Sequence, residues 1–160
     1  QGRDANTNPT ILGLLEGEED KEVPIELDTK GVYQVKSGEK YRLLADIPEE
    51  DRETYTVMAL PLSELEFTRE NRWEEVLGLA YEKEITEDMT VSFFGTCGGF
   101  SSESKSERLH ILFETEEDKK DKDLSVDWTA PEESEECTLW FIATDGRGGV
   151  GWYALEVSVQ

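Results

Sequence analysis

The chain contains few of the residues that most catalytic and metal sites need. It has one histidine and two cysteines among 160 residues, so the paired Cys and His ligands of ordinary zinc sites are missing. His110 lies among apolar residues in a strand pattern and no nucleophile-elbow sequence accompanies it, which favours a structural histidine over a catalytic one. We therefore expect no catalytic residue, no metal site and no cofactor, and we predict that the protein is not an enzyme.

Positive charge is also scarce. Lys and Arg number 16 against 38 Asp and Glu, which gives a formal net charge of -22. A surface of this sign repels phosphate backbones and anionic lipid headgroups, which argues against nucleic-acid and membrane-surface binding. No apolar run approaches the roughly 18 residues of a membrane span, so we expect no membrane insertion. A solvated acidic surface is the favoured interpretation, and binding of calcium or of a basic partner stays open.

Enough apolar and aromatic residues are present for one packed domain. Hydrophobic residues make up 36% of the chain, with four Trp, five Tyr and six Phe, which argues against disorder of the whole chain. Residues 1–9 are polar and begin without Met, as is typical of a tether that follows a removed signal peptide or a lipidated cysteine. We predict a flexible tether over residues 1–9 and a single domain over residues 10–160.

Apolar and polar residues alternate along much of the chain, and a period of two is typical of half-buried strands. Val23, Ile25 and Leu27 alternate in this way near the start. Turn residues separate the apolar segments, and no long helices alternate with them, which favours an all-β sandwich or barrel. Residues 63–81 mix strand and helix periodicities, and we predict an irregular insertion there. The clearest strand segments are 55–60, 89–96, 109–113, 124–128, 138–144 and 152–159.

Three segments of the C-terminal half contain motifs in a recognisable order. Residues 87–94, leading into Gly98-Gly99-Phe100, are similar to the pattern E-x-L-x-V-S-W-[YF] followed by G-x-F. Residues 126–131 are similar to W-x-A-P, and residues 138–152 are similar to L-x-[VF]-[VI]-x-x-D-G-R-G-G-x-x-W. Together the three segments resemble the bacterial Ig-like (PKD-like) domains of exported proteins and lipoproteins. The resemblance covers residues 87–159 and implies an extracytoplasmic Ig-like β-sandwich with no known chemistry, for which we expect about seven to nine strands.

The resemblance also places the two cysteines. Cys97 ends one strand and Cys137 starts another, and the third and sixth strands of an Ig-like sandwich are antiparallel neighbours. We therefore favour a disulfide between Cys97 and Cys137. The alternative is a pair of buried or unpaired thiols in a reducing compartment.

The segment from Asp145 to Gly151 contains the pattern G-x-G-x-x-G directly after a strand. A dinucleotide site would need a helix and a second strand to follow, but only one strand pattern remains. Glycines permit positive φ, so we predict that Asp145, Gly146, Gly148 and Gly149 form the structural turn of a hairpin.

The four tryptophans, Trp73, Trp128, Trp140 and Trp152, have two interpretations. Exposed aromatic side chains on a sheet stack on sugar rings, but packing in the core is the commoner fate of tryptophan. Trp140 lies in the apolar run 139–142, which predicts a central strand buried on both faces. We therefore favour core positions for most of the four.

These features favour a non-catalytic Ig-like binding or spacer module of an exported bacterial surface or periplasmic protein. We expect a monomer, with lipid anchoring through a removed N-terminal segment as one route of attachment, and an unidentified protein or glycan as partner. The alternative is a carbohydrate-binding or carbohydrate-active protein that uses exposed aromatics and carboxylates, and a third hypothesis is an acidic inhibitor of a basic partner. An aromatic-lined cleft with two facing acids would favour a hydrolase.

Overall fold

The computed structural model describes residues 6–52, 54–59, 81–107 and 123–160. Within these ranges the chain forms β-strands and one short 3₁₀ turn at Glu49–Asp51, which confirms the all-β prediction. The strands are β1 (Gly13–Glu16), β2 (Val23–Pro24), β3 (Tyr33–Val35), β4 (Lys40–Asp46), β5 (Thr54–Ala59), β6 (Tyr81–Thr86), β7 (Met89–Gly95), β8 (Gly99–Phe100), β9 (Ser104–Ser106), β10 (Val126–Thr129), β11 (Glu136–Asp145) and β12 (Val150–Val159).

Ten of these strands form two five-stranded sheets. The first sheet has the order β2-β1-β4-β10-β8, and all of its neighbours are antiparallel. The second sheet has the order β3-β12-β11-β7-β9, in which only β3 and β12 are parallel. Strands β5 and β6 pair with each other as a separate antiparallel ribbon.

The core lies between the two sheets. Alternate residues of each strand point inward, as the period of two requires, and Trp128 of the first sheet and Phe141 of the second are completely buried. Phe100 of the first sheet lies with its ring centroid 5.6 Å from that of Phe93 and 6.0 Å from that of Phe141, both of the second sheet. Because edge-to-face and offset rings at such separations attract one another, these contacts join the two layers.

The described residues form twelve strands, which is more than the predicted seven to nine. Several of the additional strands span only two or three residues, and such short segments show no periodicity in a sequence. The alternation at Val23, Ile25 and Leu27 gives only the two-residue strand β2, and Val23 and Leu27 are exposed. The predicted insertion at 63–81 and the predicted strand at 109–113 lie largely or wholly outside the described residues.

The described part of the predicted tether, residues 6–9, contacts the hairpin between β11 and β12. The Asn6 side-chain amide donates to Asp145 at 3.0 Å, and the Val150 backbone N–H donates to the Asn8 side chain at 3.3 Å. Pro9 is buried. Asn6 and Asn8 are therefore held against the β11–β12 hairpin by hydrogen bonds to residues far away in sequence.

Candidate functional site

The two cysteines are joined by a disulfide, as the sequence analysis favours. Cys97 follows β7 and Cys137 lies near the start of β11, and their Cα atoms are 5.7 Å apart. Gly95 pairs with Leu139 in the antiparallel register of β7 and β11. Because Cys97 follows Gly95 and Cys137 precedes Leu139 by the same number of residues, this register brings the two cysteines together. The indole N–H of Trp128 donates to the Cys97 carbonyl at 3.3 Å. This contact ties the disulfide-bearing turn to the buried face of the opposite sheet.

The glycine-rich segment connects β11 to β12, which pair as an antiparallel hairpin. Asp145 is buried, and its carboxylate accepts the backbone N–H groups of Arg147 and Gly149, both at 2.8 Å. Gly148 has a φ of +95°, which residues with a side chain rarely adopt. A side chain at Gly149 would collide with the Asp145 carboxylate. Asp145, Gly148 and Gly149 therefore have structural roles in the hairpin turn, which also includes Gly146.

The hydrogen bonds of this turn favour the charged form of Asp145. Burial raises the pKa of its carboxyl, but hydrogen bonds from the Gly149 N–H, the Asn6 side chain and the Arg147 N–H outweigh burial and hold the pKa below its usual range. Each of these donors stabilises the carboxylate form. Asp145 is thus a charged residue that forms the turn. Its lowered pKa is the opposite of the raised pKa expected of a catalytic proton donor.

A buried ion pair lies at the same end of the second sheet. Arg147 Nη1 lies 3.2 Å from Glu87 Oε1, and the Glu87 side chain has no exposed surface. The sequence analysis did not single out Glu87 as a site residue. The signal was present, however, because Glu87 begins the first segment of the Ig-like resemblance and Arg147 lies in the third.

An acidic pocket of about 1040 Å³ lies beside the first sheet. The described residues that line it include Glu49, Arg52 and Glu107 but no aromatic residue. Glu107 accepts hydrogen bonds from Nε and Nη2 of Arg52, at 3.1 and 2.5 Å, so one guanidinium occupies both carboxylate oxygens. The aromatic lining that would favour a carbohydrate hydrolase is absent from the described part of the pocket.

The outer face of the second sheet is the most unusual surface of the described chain. On β7, β11 and β12 most of the inward residues are buried, and the residues that alternate with them lie on the outer side of the sheet. We name as the aromatic face the outward side chains Phe94, Trp140, Ile142, Trp152 and Ala154. Phe94 and Trp152 are 55% and 67% exposed, and Trp140 is half-buried. Large apolar side chains on one open surface commonly mark an interaction site.

The strand register places these side chains in two adjacent rows across the sheet. Phe94, Trp140 and Ala154 lie opposite one another in the first row, and Ile142 lies opposite Trp152 in the second. Residues directly opposite have Cβ atoms about 5 Å apart, and diagonal neighbours are about 7–8 Å apart. Phe94, Trp140 and Trp152 therefore follow a diagonal across three strands.

Charge is almost absent from this side of the second sheet, although 34% of the whole chain is charged. Among the outward residues of β7, β11 and β12, only Glu136 and Glu156 carry a charge, and both lie toward one end. The Thr138 hydroxyl donates to the Glu156 carboxylate at 3.1 Å. Hydroxyl side chains occupy most of the other positions around the aromatic face: Thr90, Ser92, Thr138, Thr144 and Ser158.

The tryptophan predictions have mixed outcomes. Trp128 is a core residue, as favoured. The prediction that Trp140 is buried on both sides of a central strand is wrong for its outer side: β11 is central, but Trp140 is half-buried on the aromatic face. Trp152 is exposed, and Trp73 lies outside the described residues. The aromatic face also contains Phe94, for which the sequence pattern gave no prediction of surface exposure.

No protein-family model, curated protein or solved structure matches the chain. Across the described ranges, no three His, Cys, Asp or Glu side chains are grouped so as to hold a metal ion. No helix there is long and apolar enough to cross a membrane. His110 is not among the described residues.

Proposed function

We propose that this chain is a non-catalytic Ig-like binding module of an exported bacterial surface or periplasmic protein, and that it binds its partner through the aromatic face. The observation that carries the proposal is the exposure of Phe94 and Trp152 on a sheet surface that is almost free of charge. A strongly acidic chain gains no solubility from such a surface, and a partner that covers it would bury apolar area.

The strand order supports the Ig-like assignment. Ig-like sandwiches place strands A, B, E and D in one sheet and strands C, F and G in the other. The series β1-β4-β10-β8 and β7-β11-β12 occupy these places in the same spatial and chain order. Strands β2, β3 and β9 extend the two sheets, and the β5–β6 ribbon lies between the second and third strands of this scheme.

The disulfide supports export. Disulfides persist in oxidising compartments such as the periplasm and the cell surface, and they are rare in the reducing cytoplasm. The Cys97–Cys137 bond closes a loop across β7 and β11, the two neighbouring central strands of the second sheet. A lipid anchor or a periplasmic location agrees equally well with this feature.

Radical footprinting tests the proposed binding face. The full chain is oxidised by hydroxyl radicals alone, at increasing protein concentration, and in the presence of insoluble bacterial cell-envelope material, and mass spectrometry then locates the modified residues. We expect a partner to protect Phe94 and Trp152 and to leave Leu15 and Leu44 of the acidic pocket unchanged. Protection of Leu15 and Leu44 alone, or release of reducing sugar from the envelope material, would move the function to the pocket and contradict the proposal.

A further inference from the structure

We propose that the aromatic face binds a neutral polysaccharide chain, laid along the diagonal from Phe94 through Trp140 to Trp152. This inference rests on the proposed function, because it names the partner of the same face. Sugar rings present flat C–H surfaces between hydroxyl-bearing edges. They therefore match a surface on which aromatic rings are bordered by hydroxyl side chains.

The geometry of the diagonal suits an extended ligand. Phe94 is opposite Trp140, and Trp152 is opposite Ile142, two residues further along β11. With about 5 Å between opposite residues and about 7–8 Å between diagonal ones, the three rings span more than one sugar unit. The sheet surface is open, whereas ligands enclosed on most sides occupy concave pockets. An open track of this length fits a chain that extends beyond the site at both ends.

The polar groups beside the diagonal fit a hydroxylated ligand. Ser92 lies opposite Ile142 in the same row as Trp152, and Ser104 of β9 lies opposite Ser92. Thr90 and Thr144 continue the hydroxyl border in the next row. The Thr144 hydroxyl donates to the Thr90 carbonyl, and the Thr90 hydroxyl shares a hydrogen bond with Ser106. Each hydroxyl oxygen carries two acceptor lone pairs, so this border can still accept hydrogen bonds from sugar hydroxyls.

Charge complementarity favours a neutral glycan over an anionic one. The chain has a formal net charge of -22, and this field repels polyanions at moderate ionic strength. A neutral polysaccharide meets no such barrier. Cationic ligands would be attracted to the acidic remainder of the surface rather than to the aromatic face, where only Glu136 and Glu156 are charged.

A narrow sugar chain also fits better than a second copy of this protein. A stable protein interface covers about 800 Å² on each partner, so it would extend from the aromatic face to its surroundings. Glu103, Glu135 and Glu136 are exposed at those margins. Two copies packed face to face would bring such acidic margins together, and like charges brought together oppose association. A polysaccharide that follows the diagonal avoids them.

Affinity electrophoresis tests the inference. The full chain is run through native gels that contain hydroxyethylcellulose, soluble starch, arabinoxylan or galactomannan, with polygalacturonate as an anionic comparison. We expect at least one neutral gel to retard the wild type. Trp152→Ala and Phe94→Ala should weaken that binding by about tenfold, the loss expected from removing an interface aromatic of moderate energy. Trp152→Phe, which keeps a ring, should bind more tightly than Trp152→Ala.

Val23→Ala is the matched control, since Val23 is a 59% exposed apolar residue on the first sheet. It should leave retardation unchanged, and circular dichroism should show that every variant is folded. Equal weakening by the control variant, or stronger retention by polygalacturonate than by every neutral gel, would overturn the inference.

The failure of this inference can be distinguished from the failure of the proposed function. If no gel retards the wild type, the inference is overturned. Sedimentation velocity then tests whether the aromatic face binds a second copy of the chain. Self-association that is lost in Trp152→Ala would show that the face binds a second copy, and the proposed function would stand. Absence of retardation, self-association and envelope protection together would contradict both.

Discussion

Arg147 in the turn between β11 and β12 forms an ion pair with Glu87, whose completely buried side chain lies just before β7. Removing one partner of such a pair takes a charge-assisted hydrogen bond away from a buried carboxylate. Arg147 retains some exposure, so we expect Arg147→Ala to lower the free energy of unfolding by about 2 kcal/mol, less than for a fully buried pair. Urea denaturation measures the change.

The exposed residue Lys36 supplies the matched control for this prediction. Lys36→Ala removes the same sign of charge and should change stability by less than about 0.5 kcal/mol. If the two variants are equally stable, the buried ion pair does not stabilise the hairpin.

The turn glycines should differ sharply in their tolerance to alanine. Gly148 has positive φ, and a side chain at Gly149 would meet the Asp145 carboxylate, whereas a side chain at Gly146 would point into open space. We expect Gly148→Ala to cost about 1 kcal/mol and Gly149→Ala to cost more, because the carboxylate must move away from its donors. Gly146→Ala should be close to neutral in thermal unfolding. A ranking with Gly146 as the most sensitive position would contradict the described turn.

The disulfide should contribute strongly to stability. In the chain-entropy model, closing the loop between Cys97 and Cys137, which are separated by 40 positions, stabilises the folded state by about 4 kcal/mol. We expect the double variant Cys97→Ser/Cys137→Ser to unfold at markedly lower urea concentration. Alkylation without reductant followed by intact-mass analysis should label no thiol in protein exported to an oxidising compartment. Two labelled cysteines in such material would reject both the bond and the inference of export drawn from it.

Asp145 should give the hairpin a defined dependence on pH. Its folded pKa lies below the ordinary value of 3.8, so its contribution to stability is complete above that value and is lost as the pH falls through the lower, folded one. The difference in unfolding free energy between the wild type and Asp145→Asn should therefore be greatest at neutral pH and shrink on acidification. Chemical denaturation between about pH 7 and pH 2 measures it. A difference that stays constant or grows in acid would contradict this role.

The overall acidity should make stability dependent on ionic strength. With a formal net charge of -22, carboxylates repel one another more in the folded domain than in the expanded chain, and salt screens this repulsion. We expect sodium and calcium chloride to raise the melting temperature equally at matched ionic strength. Saturable stabilisation by millimolar calcium beyond that of sodium would instead indicate a specific site.

The predictability of this fold from sequence depended on the length of each element. The long strands β7, β11 and β12 carry enough alternating residues to be recognised. The resemblance to Ig-like domains led to the prediction that Cys97 and Cys137 lie on neighbouring strands. The parallel pairing of β3 with β12 could not be predicted, since β3 is only three residues long and parallel partners are set by tertiary packing.

The aromatic face could be predicted from the sequence only in part, because one apolar pattern fits two structures. A continuous apolar run such as 139–142 is equally typical of a strand buried on both faces and of a strand with an exposed apolar face. Only the absence of a covering layer in the described structure distinguishes these cases for Trp140. The structure likewise reveals the low charge of the surrounding surface, because the residues that create it come from β7 as well as from the β11–β12 hairpin, which lies far from β7 in sequence.

The parallel pairing of β3 with β12 also has a mechanical consequence. Tyr33 pairs with Val157 and Val35 with Val159, so the two strands run side by side in the same direction. Tension applied through the residues before Tyr33 and after Val159 would slide the strands lengthwise past each other. Their hydrogen bonds would then be sheared together instead of being opened one at a time, so this pair of strands is suited to resist lengthwise stretching of the described domain.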